Sequence, residues 1–180
     1  MKKYVLIGVQ GAGKSTQGKL LSEVLGLPYL SSGHIFRQMA KSRTKIGRWL
    51  KETLNAGVLV DDDKTIEIVS EYLKKPEYKN GFIIDGFPRT LAQAKAFSNG
   101  TEKAIFINVS DKEALWRISG RDDTREDDTL QAIRNRIKLF HEATSAVLDF
   151  YKEKDQLIVV DGERAVEEVF QEMIKKLGVE

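Results

Sequence analysis

Two rhythms of apolar and polar positions alternate along the chain. Short, nearly unbroken apolar runs recur at YVLIGV (4–9), GFIIDG (81–86), AIFINV (104–109) and LIVVDG (157–162), with a shorter one, LPYLSS, at 27–32. Such runs suit strands covered on both faces. Between them the apolar residues fall three and four apart. Lys14 to Leu25 reads as a helix closed near Gly26, residues 34–56 carry helical patterning interrupted near Gly47, and a further helix runs from Asp61 to Lys74. Leu130, Ile133, Ile137, Phe140, Val147 and Tyr151 share one face of a long helix, and a closing helix extends to about Leu177. Thr90 with Gln93, and Ser110 with Glu113, have the spacing of capping boxes for two more helices. Strand–helix alternation of this kind predicts one α/β domain, a parallel sheet with helices on both faces.

Composition narrows the class without changing that picture. The 180 residues are 41% hydrophobic and 31% charged, so the chain can bury a sizeable core. A formal charge of +2 advertises no general polyanion-binding surface, and no basic recognition helix is present; no nucleic-acid partner is expected. With no cysteine, disulfides and thiolate zinc sites are excluded. MKKYVLIGV begins like a secretion signal but runs into glycines rather than a cleavage site, and no run approaches a membrane span. A cytoplasmic protein with no membrane partner is the expectation.

The first apolar run ends in GVQGAGKS (8–15), which matches G-x-x-x-x-G-K-[ST] between a strand and a helix. Glycines let the backbone turn its N–H groups toward phosphate oxygens, and the following helix adds its positive end. Lys14 is the point charge expected at the outer phosphates, and a hydroxyl from Ser15 or Thr16 is expected to reach Mg²⁺. This motif specifies a nucleoside triphosphate site, here Gly11, Ala12, Gly13, Lys14, Ser15 and Thr16, and leaves the acceptor open.

Three more stretches bear on the acceptor: LSSGHIFR (30–37), NAGVLVDDD (55–63) and NGFIIDGFPRTLAQ (80–93). With the glycine loop they resemble, in order from Tyr4 to about Gly178, the nucleoside monophosphate kinases, most of all the short-lid adenylate kinases. The resemblance implies a three-layer fold with strand order 2-3-1-4-5. It also implies an acceptor segment over 31–60 and a short lid over 118–128, both mobile. Asp85 would organise Mg²⁺, partly through water, and Phe87–Pro88 would be a cis bond. Arg89 and Arg37 would grip the acceptor phosphate, for which a rigid fork of donors is suited. Ser32, Gly33, the strip Gly57, Val58, Leu59 and Val60, and Gly86 would surround the acceptor. Gln93 would read an adenine edge, unless its amide serves only as the capping partner of Thr90. The loop departs from its relatives at Gln10, where they most often have Pro, and at Ser15, where they most often have Gly. His34 replaces their usual acidic residue and is expected to be structural or solvated rather than catalytic; His141 is expected to pack or cap.

The segment RISGRDDTREDDTLQAIRNR (117–136) is rich in arginine. By resemblance, Arg117 would lie against the ATP adenine, Arg121 and Arg125 would reach phosphates, and Asp127 and Asp128 would position those arginines and cap the next helix. Arg136 would point into the same site; if the segment is helical throughout, Arg125 and Arg136 share a face. Arg121 and Arg125 are only four positions apart, too close for the zinc-binding insert of long-lid relatives. Trp49 and Trp116 are expected to pack rather than stack on a base. The reading is reversible phosphoryl transfer from ATP to AMP giving two ADP, for adenine nucleotide homeostasis, with Mg²⁺, no zinc, and a monomer as the working form. Lys14, Arg89, Arg121, Arg125 and Arg136 would be catalytic. UMP/CMP kinase chemistry on the same fold and a non-catalytic adenylate sensor are the alternatives.

Overall fold

The computed structural model describes residues 2–99, 102–120 and 127–179, the side chain of Glu102 apart. Five parallel strands, β1 (Lys2–Ile7), β2 (Tyr29–Ser31), β3 (Gly81–Asp85), β4 (Glu102–Asn108) and β5 (Leu157–Asp161), lie in the order β2-β3-β1-β4-β5. The helices are α1 (Lys14–Leu25), α2 (Ser32–Ala40), α3 (Lys45–Asn55), α4 (Asp62–Leu73), α5 (Leu91–Phe97), α6 (Asp111–Ser119), α7 (Leu130–Glu153) and α8 (Val166–Leu177). Successive side chains of a strand point to opposite faces, and β1 divides its residues accordingly. Tyr4 and Leu6 join a core layer with α1, α6 and α8, whereas Val5 and Ile7 join the layer formed with α2 to α5. α7 contributes to both, through Ile133 and Ile137 on one side and Val147 and Tyr151 on the other. Each fully buried Ile or Leu of this sheet contributes about 1.5–3 kcal/mol through burial.

Two boundaries differ from the sequence pattern. The break between α2 and α3 falls at 41–44, not at Gly47, because Thr44 accepts a hydrogen bond from the Gly47 N–H and starts α3 there. Gly47 is in the first helical turn, where a Cβ would strike the Ser42 carbonyl. The long helix starts at Leu130, with Thr129 rather than Asp127 or Asp128 as its cap. Residues 127–129 are not helical, so the continuous helix on which the shared face of Arg125 and Arg136 rested is not formed, and Arg125 itself lies outside the described residues. The Phe87–Pro88 bond is cis, as the resemblance implied.

Candidate active site

Topology places the site. β1 lies between β3 and β4, so the connections leaving its two sides diverge, and a crevice opens beyond the carboxyl ends of the strands. The glycine loop fills the floor of that crevice. Gly11 has φ +93°, and a Cβ there would lie 2.5 Å from the Ala114 carbonyl oxygen, so the loop can pack this closely on α6 only with glycine. Lys14 leads into α1 and bends back, its Nζ donating to the carbonyls of Gly8 at 2.7 Å and Val9 at 2.9 Å. Ser15 donates to Asp85 Oδ2 at 3.2 Å, and Tyr29 donates to the same oxygen at 2.8 Å. Burial and the Asp85 charge push the Tyr29 phenol far above its ordinary pKa, which keeps it a donor. Thr16, by contrast, is exposed.

One cleft of ≈ 730 Å³ runs from this loop to the far side of the sheet. Its end beside α6 is walled by Glu113, Trp116 and Arg117, facing the turn Gly162–Val166. Those three side chains share a helix face at i, i+3 and i+4. Glu113 holds Arg117 Nε at 2.7 Å rather than closing a capping box on Ser110; the Ser110 N–H is taken instead by Glu163. Trp116 is 70% exposed, which corrects the expectation that it packs; Trp49 is also exposed.

At the other end, the wall is made of Gly33, Phe36, Arg37, Val58, Leu59, Val60, Gly86, Arg89 and Gln93. α2 begins here, with Ser31 as its cap, and the Arg37 guanidinium lies over Gly33. Arg89 Nε donates to the Gly86 carbonyl at 2.8 Å. Its guanidinium is deep in the cleft yet open to it. Withdrawal from bulk water lowers its pKa, Asp85 raises it in part, and Arg136 lowers it further. The Gln93 amide is doubly engaged, accepting from the Arg89 N–H at 2.8 Å and donating to Asp62 at 2.7 Å. It is thus a bracket for the arginine's backbone, while Thr90 caps the Gln93 N–H. Ser32 is fully buried beside Gly86 with its hydroxyl unpartnered, and does not line the cleft. Gly57 is buried against Ala132 of α7 and supports the strip from beneath.

The middle of the cleft belongs to Arg136. It donates to Asp127 at 2.5 Å, Asp128 at 2.8 Å, the Leu54 carbonyl at 2.8 Å and Gln10 at 3.2 Å. Asp127 and Asp128 thus hold Arg136, whereas the expectation gave them the arginines of the preceding segment, and neither caps α7. Arg121 and Arg125 lie outside the described residues.

The profile of the Adenylate kinase family matches residues 6–156. A protein named Adenylate kinase from Mycolicibacterium paratuberculosis is 41% identical, over 98% of this chain and 99% of its own length. One of the same name from Caldicellulosiruptor bescii is 34% identical, over 99% of this chain and all of its own. The chain belongs to the adenylate kinase family. The alignment with the mycobacterial relative spans 183 positions and that with the C. bescii relative 214, against 180 residues here, so the second relative carries extra residues that this adenylate kinase-family chain lacks. A third, from Mycobacterium tuberculosis strain H37Rv, is 39% identical over 183 positions.

Within this family member, the donor set fits a hard divalent cation. Ser15 and Asp85 offer oxygen ligands side by side at the cleft floor, and no group of three or more metal-ligating side chains occurs among the described residues. Mg²⁺ suits such a site because it keeps several waters and uses few protein oxygens beside phosphates. Sequence reasoning missed Tyr29, Asp62, Glu113 and Gln10 as parts of the site. Tyr29, Asp62 and Gln10 act through partners distant in sequence and Glu113 through Arg117 one turn on, and no motif assigns them these roles. No helix of the described residues is long and apolar enough to cross a membrane.

Proposed function

We propose that this chain catalyses ATP + AMP ⇌ 2 ADP. The observation that carries the reading is the single cleft in which the glycine loop and the Gly86–Gln93 acceptor wall face one another, with Arg89 and Arg136 between them, in a member of the adenylate kinase family. An anionic phosphate oxygen of AMP attacks the γ-phosphorus of ATP. A new P–O bond forms, the bond to the β-phosphate bridging oxygen breaks, and its electrons leave with ADP. That nucleophile is already deprotonated, so no general base is needed.

Catalysis then consists of positioning and charge neutralisation. Lys14 would swing from the Gly8 and Val9 carbonyls to the outer phosphates of ATP. Arg89, joined by Arg37, would fix the acceptor phosphate in line. Arg136, with Arg121 and Arg125 brought by the 118–128 lid, would meet the charge spread over the transferring group. Ser15 and Asp85 would hold Mg²⁺, which supplies charge neutralisation at the phosphates. Arg117 and Trp116 would receive the donor base, and Gly33 with Val58 to Val60 the acceptor nucleoside. Closure of 31–60 and 118–128 would expel water that otherwise competes for the phosphate. A cytoplasmic monomer suffices for this scheme, since one chain supplies both walls.

The test is a coupled ADP-release assay with AMP, UMP, CMP and GMP offered as acceptors. AMP should be the preferred acceptor by kcat/KM. Preference for a pyrimidine would move the chain to the UMP/CMP alternative, and tight adenylate binding with no transfer to any acceptor would make it a sensor.

A further inference from the structure

Gln10 lies on the glycine loop but does not serve that loop alone. Its Nε2 donates to Asp128 Oδ1 at 2.7 Å, and its Oε1 accepts from Arg136 Nη1 at 3.2 Å. The same Nη1 donates to Asp128 Oδ1 at 2.8 Å, which closes a ring of three hydrogen bonds. The second terminal nitrogen, Nη2, donates to the Asp127 carboxylate, the Asp127 carbonyl and the Leu54 carbonyl in the last turn of α3. Arg136, Asp127 and Asp128 expose only 13%, 6% and 11% of their side chains, so these bonds operate with little screening. An amide donates and accepts at once, so it bridges a carboxylate and a guanidinium without adding charge. A glutamate would repel Asp128, and a lysine would repel Arg136.

We propose that Gln10 is a positioning residue for phosphoryl transfer: it fixes Arg136 relative to the glycine loop, and through Arg136 links that loop to the end of α3 and to the stretch at 127–128. This rests on the transfer activity proposed above. Any displacement of the glycine loop is thereby transmitted to the arginine facing Arg89, so the cation over the acceptor side moves with the phosphates on the donor side.

Gln10→Ala and Gln10→Glu test it, each compared with wild type in steady-state kinetics, thermal unfolding and calorimetric binding of a bisubstrate dinucleotide, two adenosines joined by a phosphate chain. Both variants should lower kcat by about tenfold while KM for ATP and AMP stays within about twofold. The bisubstrate dinucleotide should bind about tenfold more weakly and Tm should hold. In an Asp128→Ala background, Gln10→Ala should cost less than about twofold more, because the ring is already open. An unchanged kcat and dinucleotide affinity, or losses at the two positions that simply multiply, would overturn the proposal. Should wild type transfer phosphate to no acceptor, the activity reading fails by itself, and the dinucleotide affinities still decide the role of Gln10.

Discussion

At the residue scale, the sequence offered two adjacent hydroxyls, Ser15 and Thr16, and no means of choosing between them. The fold chooses by direction: Ser15 reaches the Asp85 carboxylate across the cleft floor, and Thr16 is exposed. Helix geometry explains this, since neighbouring side chains on α1 point about 100° apart and only one can face β3. Ser15→Ala should therefore raise the Mg²⁺ concentration needed for half-maximal rate by at least roughly tenfold, and Thr16→Ala by no more than about threefold, in a Mg²⁺ titration at saturating nucleotides. Equal effects would place the metal between the two hydroxyls. Gln93 shows the other kind of residue-scale ambiguity. Its spacing from Thr90 fitted a capping box, and the backbone half of that box forms. The amide goes instead to the Arg89 N–H and Asp62, which is decided by α4 lying alongside α5.

At the scale of elements, the strip at 58–60 depends on a contact between the end of α3 and α7 that no local pattern signals. Gly57 follows α3 with φ +67°, and a Cβ there would come within 2.4 Å of the Ala132 carbonyl oxygen. Asn135 and Arg136 fasten the same junction by donating to the carbonyls of Ala56 and Leu54. Gly57→Ala should lower stability by about 1–3 kcal/mol in urea unfolding, from left-handed strain and the clash together. It should also raise KM for AMP more than KM for ATP, because Val58 to Val60 would shift with it. Some of the helix starts, in contrast, were legible. Ser31, Thr44, Asp61, Thr90, Ser110 and Thr129 each accept a backbone N–H at the first turn. Of these, the sequence reading singled out Thr90 and Ser110 by their spacing, and misplaced the α3 start because Gly47 looked like the breaker.

At the scale of the whole molecule, buried tyrosines couple stability to alkaline pH. Tyr78 packs edge-on to Phe82 and is nearly buried, and desolvation with the neighbouring Glu77 pushes its phenol from 10.0 up to about 12. The folded pKa is above the unfolded one, so the folded state favours the protonated phenol. That contribution is fully present below pH 10 and is lost as pH rises toward 12. Tyr4 and Tyr29 are raised in the same direction by burial. Tm should accordingly fall steeply above pH 10, and Tyr78→Phe should flatten part of that fall in circular-dichroism melts.

Resemblance to a known family supplied the expected acceptor-side residues, whereas the sequence by itself determined the α/β class and the glycine loop, because each rests on short-range rules. Those rules are the period of burial, the glycines of a tight turn, and a charged residue at a fixed offset from a strand end. Tertiary structure decided which of these groups meet. It paired Ser15 with Asp85 across seventy positions, brought Arg136 onto Gln10, Asp128 and the end of α3, withdrew Ser32 into the interior and left Trp116 at the cleft rim. Such pairings depend on strand order and on where helices cross. A carboxylate or an arginine can be satisfied by any partner of opposite sign, so residue type alone does not select the partner; the packing of the sheet and its helices does.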